Sequence, residues 1–134
     1  HDVDATVFGY KKGEIPMLGC ECFAADKDLI VKTRDAILKA APDIGIFEGR
    51  ICSGDQFISD PNVKERIKSD FGGMCTEMEG AGIAQACFLN NIPFVIIRAI
   101  SDKADGSDIV DYPEFEKKAA HDCAALVAEM IKSI

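Results

Sequence analysis

Along the chain, apolar positions recur with two periods, one near 3.6 residues and one near two, and the alternation between them predicts the elements. Residues 1–25 carry neither period. Gly9, Gly13, Pro16 and Gly19 divide them into short apolar pieces, read as strand ends and loops. From Asp26 onward, Leu29, Ile30, Thr33, Ile37 and Leu38 recur at three-to-four spacing, and Pro42 closes the predicted helix. Residues 44–52 alternate as a strand does. After a loop over 53–60, Pro61 at a first helical position opens a short helix towards Phe71. Residues 74–76 form a brief predicted strand, and 77–91 a helix rich in small residues that can pack close to a sheet. Residues 94–100 are apolar except for Arg98, as in a central strand covered on both faces, where an arginine needs a carboxylate partner. The polar stretch 101–111 is a candidate flexible loop. The last helix begins near Pro113 with Asp111 and Glu114 as a capping pair, and its apolar face is Phe115, Ala119, Cys123, Val127 and Ile131. Alternating strands and helices give an α/β domain with a mostly parallel sheet.

Composition narrows the partners. A chain of 134 residues is enough for one domain with a sizeable core. The net charge of -8 and scattered Lys and Arg argue against a nucleic-acid backbone as ligand, and the longest apolar run is far shorter than a membrane span. The expected partner is a small molecule. Of the six cysteines, four sit inside apolar patterns where a thiol acts as a small hydrophobe, which fits a reducing, cytoplasmic setting. Cys20 and Cys22 lack zinc-knuckle spacing and His1 and His121 are far away in sequence, so no metal and no cofactor are expected.

The chemistry concentrates in two acidic stretches. Glu77 and Glu79 stand at the mouth of the small-residue helix, and Asp102 follows the apolar run ending at Ile100. Singly, each has an ordinary explanation: glutamates favour a helix start and aspartate caps a turn. Together they suit a neutral, hydroxyl-rich ligand whose leaving group must be protonated, because Glu accepts from a diol while a shielded Asp can hold a proton. Gly80-Ala81-Gly82 begins like a dinucleotide fingerprint, but Gln85 breaks it, and tight helix packing explains the glycines better.

Four blocks in order, residues 1–6 with Phe8-Gly9-Tyr10, Ser53-Gly54-Asp55-Gln56-Phe57-Ile58, Thr76-Glu77-Met78-Glu79, and Arg98-Ala99-Ile100-Ser101-Asp102, resemble the bacterial 5'-methylthioadenosine/S-adenosylhomocysteine nucleosidases of the nucleoside phosphorylase/nucleosidase superfamily. The resemblance implies a three-layer sandwich with a mixed, mostly parallel central sheet, and makes the chain the C-terminal part of a single domain. The first residues read as mid-protein sequence, so residues 1–134 alone are expected to be inactive.

The resemblance also implies roles. Asp102 would protonate N7 of adenine, with Ser101 orienting it. Phe57 would stack on the base and the Ile58 backbone would pair with its edge. Glu79 would hold the ribose hydroxyls, Met78 would line the sugar, and Glu77 with Arg98 would help to place the attacking water. Tyr112 falls where the family commonly has Phe against the 5'-alkylthio group. Phe8 and Pro16 would close the neighbouring subunit's pocket in a homodimer, and the water-activating carboxylate would come from the N-terminal half. Two alternatives stay open: a phosphate-dependent purine nucleoside phosphorylase of the same fold, and a non-catalytic nucleoside-binding domain, which would have no need of an acid at position 102.

Overall fold

In the computed structural model the described residues are 1–101 and 112–133. They form an α/β arrangement in the order α1 (Lys27–Ala40), β1 (Arg50–Ser53), α2 (Pro61–Phe71), β2 (Gly73–Glu77), α3 (Gly80–Leu89) and α4 (Tyr112–Ile131). A single 3-10 turn, Thr6–Phe8, precedes them. Local chemistry sets the helix ends. The Asp26 carboxylate accepts the Leu29 N–H at 2.9 Å, and Asp60 accepts that of Asn62 at 2.7 Å, with Pro61 opening α2. Gly72, at φ 65°, ends α2 in the left-handed conformation that a residue with a side chain resists.

The sheet is a parallel pair, with Ile51 opposite Cys75, Cys52 opposite Thr76 and Ser53 opposite Glu77. Two apolar clusters flank it. Cys52, Ile58 and Ile67 are buried together with Val63 and Phe71 against them, seating α2 on the strands. Ala36, Leu126 and Met130 join α1 to α4, and Ile37, Val95 and Ile97 pack on this second cluster. Thr33, also buried, turns its hydroxyl back to the Leu29 carbonyl at 2.7 Å, which satisfies it inside the interface.

Three expectations are corrected. The strand expected over 44–52 is confined to Arg50–Ser53. Residues 94–100 are not part of a ladder among the described residues. Residues 49–51 and 95–100 both line a crevice of about 730 Å³. Val95 and Ile97, two residues apart, reach the same cluster. Finally, β2 runs through Glu77 and the following helix begins only at Gly80, because the Glu77 backbone stays in the ladder and its carbonyl takes the Gly54 N–H at 3.1 Å. Asp111, one half of the expected capping pair, lies outside the described residues.

Ile67, at 2% exposure, is the most buried side chain of the first cluster. Ile67→Ala should lower unfolding free energy by about 2–4 kcal/mol in urea titrations, the cost of a lost side chain plus the cavity it leaves. A loss under ~1 kcal/mol would show that α2 is not seated by this cluster.

Candidate active site

The site is built around one carboxylate. Glu77 ends β2, and its side chain is only 8% exposed. One oxygen, Oε1, accepts the Ser53 hydroxyl from β1. The other, Oε2, accepts the backbone N–H groups of Glu79 at 3.0 Å and Gly80 at 2.7 Å, and pairs with the Arg98 guanidinium. The carboxylate therefore caps α3 from the preceding strand, where the helix dipole favours negative charge. Glu79, at the nominal cap position, makes no side-chain cap. The Glu77 carboxylate comes so close that a Cβ on Gly80 would stand 2.9 Å from Oε1. That close approach is what the first glycine after Glu79 permits.

Burial by itself would raise the Glu77 pKa, but the Ser53 hydroxyl, the two backbone N–H groups and the Arg98 charge outweigh it and hold the carboxyl below its usual range. Glu77 is thus a fixed anion. Arg98 Nη2 also reaches Glu79 Oε2 at 2.9 Å, so the arginine ties the buried carboxylate to one that is 64% exposed. This is the partner that the arginine in the apolar run was expected to need.

The structure brings Glu77, Glu79 and Arg98 together and leaves Met78 half-exposed between the two glutamates. Ile58 is buried by its side chain in the first cluster, which anchors the backbone beside it. Phe57 next to it is 77% exposed, its ring packed on no core. Phe8, at 80%, and Pro16 are exposed on the N-terminal loops. Ser101 is half-buried at the end of the described run, whereas Asp102 lies outside the described residues, as does the side chain of Tyr112. Ser53 and Gly80 carry the geometry without having been assigned a role from sequence. The signal for Ser53 is its register opposite Glu77, a fact of parallel pairing that spacing along the chain does not encode.

A sequence model described as the phosphorylase superfamily matches residues 1–132. A 5'-methylthioadenosine/S-adenosylhomocysteine nucleosidase of Haemophilus influenzae (strain PittEE) is 42% identical over 132 residues, 98% of this chain and 56% of that protein. The crystal structure of the nucleosidase of the same name from Neisseria meningitidis, in complex with methylthio-immucillin-A, superposes with a TM-score of 0.87 at 41% identity, over all of this chain and 58% of that one. Futalosine hydrolase of Helicobacter pylori is similar at a TM-score of 0.86 and 30% identity, over all of this chain and 56% of that one. The chain spans a little more than half the length of the relatives it matches.

Because the folded Glu77 pKa is depressed, its stabilisation is complete above the ordinary value of about 4.5 and is lost as the pH falls through the lower folded value. Glu77→Gln should therefore cost about 1–3 kcal/mol at neutral pH, the range for weakening hydrogen bonds to a charged group. The gap to the parent should close in acid. A pH-independent difference, read from urea titrations across the acid range, would mean that the carboxylate is not held ionised by these partners.

Gly80→Ala tests the close approach separately. Alanine is the better helix former by about 1 kcal/mol, so a merely helical role predicts a gain. Displacement of Glu77 predicts no gain, together with a higher Glu77 pKa by carboxyl carbon NMR.

Proposed function

The chain belongs to the phosphorylase superfamily, and from that premise we propose that it forms the catalytic part of a nucleosidase that hydrolyses the N-glycosidic bond of 5'-methylthioadenosine and S-adenosylhomocysteine. The observation that carries this reading is the Arg98 fork between buried Glu77 and exposed Glu79. It holds one carboxylate as a fixed anion and presents the other at the mouth of α3, where a ribose diol can donate to it. The relatives' names supply the substrate class.

In this reading the sugar turns oxocarbenium-like as the bond to adenine breaks. Glu79 binds the hydroxyls and gains strength as positive charge grows on the ring. Glu77 and Arg98 order the attacking water, and the base that activates it lies outside these 134 residues. Adenine leaves neutral after proton donation from Asp102 to N7, with Ser101 orienting the acid. Phe57 is exposed and available to stack on the base, while buried Ile58 fixes the backbone that reads its edge. Met78 lines the sugar and Tyr112 meets the 5'-alkylthio tail. The full-length protein is assigned to a cytoplasmic homodimer, with Phe8 and Pro16 closing the partner's pocket, and to methionine salvage. No described helix is long and apolar enough to cross a membrane. The similarity to futalosine hydrolase favours one second reading, the same chemistry on a substrate with a different 5' substituent.

In the full-length protein, Asp102→Asn should lower the rate of adenine release from methylthioadenosine by more than ~10²-fold while a substrate analogue still binds, because the amide keeps the shape without a proton suited to transfer. Near-normal turnover would remove Asp102 from its role.

Glu79→Ala should cost on the order of 2–4 kcal/mol of transition-state stabilisation. The variant should also lose most of the parent's discrimination against 2'-deoxy and 3'-deoxy substrates. Unchanged discrimination would show that another group holds the diol.

A further inference from the structure

We propose that Ser53 is a positioning residue for this site: its hydroxyl, oriented by the Ala81 N–H, fixes the Glu77 carboxylate so that its other oxygen meets Arg98. The inference deepens the nucleosidase reading and rests on it for the kinetic consequence, although the geometry stands independently of the substrate.

Ser53 is the last residue of β1 and lies opposite Glu77 in the parallel register. Its Oγ accepts the Ala81 N–H at 2.8 Å and donates to Glu77 Oε1. A hydroxyl is the short side-chain group that can do both at once. The oxygens of Glu77 are thereby divided: Oε1 is held across the sheet by Ser53, and Oε2 takes the helix start and the guanidinium. Without the hydroxyl, the Ala81 N–H and Oε1 both lose this partner, and the carboxylate, held through Oε2 alone, can turn about that anchor.

The turn matters because Arg98 has two anionic partners. If Glu77 lets go, the guanidinium is left to Glu79, the exposed carboxylate assigned to the diol. Ser53 in this way keeps Glu79 available without touching substrate. The titratable and charged groups near Glu77 are Arg98 and Glu79 on the helix side and Cys75 within β2, with Cys52 and the chain start at His1 on the β1 side. Burial pushes both thiols up, so neither adds an anion at neutral pH.

The test compares Ser53→Ala, Ser53→Cys and Ser53→Thr in the full-length protein, reading the Glu77 titration by carboxyl carbon NMR and the kinetics of adenine release. Ser53→Ala should raise the Glu77 pKa, move the acid limb of the rate profile upward in pH and lower kcat/KM by ~10–100-fold. Ser53→Cys, which keeps the volume but donates weakly, should do the same, and covers the case in which the alanine variant does not fold. Ser53→Thr retains the hydroxyl and should restore both readouts. A Glu77 titration unmoved in a folded Ala or Cys variant, or a failure of Thr to restore it, overturns the proposal. If the parent releases no adenine, the nucleosidase reading fails while the titration still decides the role of Ser53.

Discussion

A single buried carboxylate holds the junction together. Glu77 takes a hydroxyl from β1, two backbone N–H groups from the start of α3 and a guanidinium from the run 94–100, so three other segments meet on its two oxygens. Removing a charge from water is costly unless it is paired and hydrogen-bonded, and here every contact compensates for burial. The arrangement also explains a local oddity of the chain. A helix composed mostly of small apolar residues starts without a side-chain cap of its own, because the cap is supplied by the strand before it.

The same constraint prepares the site for chemistry. An anion held by fixed donors does not reorganise when charge develops beside it, which is the condition under which electrostatic stabilisation is most effective. Arg98 extends the effect outward: half-shielded itself, it reaches from the buried glutamate to the exposed one and sets the distance between them. Glu79 is then close to a cation yet open to solvent, a carboxylate able to accept from hydroxyls without being locked away.

The parts of the fold legible in the sequence were those decided locally. Asp26 and Pro61 open their helices where expected, and Thr33 and Ile37 of the predicted apolar face meet α4, whereas Leu38 is exposed. Pairing was less legible because it depends on what lies alongside. Residues 94–100, read as a central strand, join no ladder among the described residues, and only the last four of residues 44–53 do. Within the site, Glu77, Glu79 and Arg98 were recognisable from chemistry and resemblance, and they do meet. The nature of the meeting was not: Glu77 reads as the first residue of a helix and is the last of a strand, and Ser53 reaches Glu77 through register. Asp102 and the side chain of Tyr112 fall outside the described residues.

The central claim is that this site delivers water, and not phosphate, to the sugar carbon released from adenine. A nucleosidase and a phosphorylase of the same fold both liberate the base, but they leave different sugars. The direct measurement is to incubate the full-length protein with 5'-methylthioadenosine in phosphate buffer and identify the sugar product by NMR. Free 5-methylthioribose, formed at the same rate when phosphate is omitted, is the predicted result; a sugar 1-phosphate whose formation requires phosphate would contradict it.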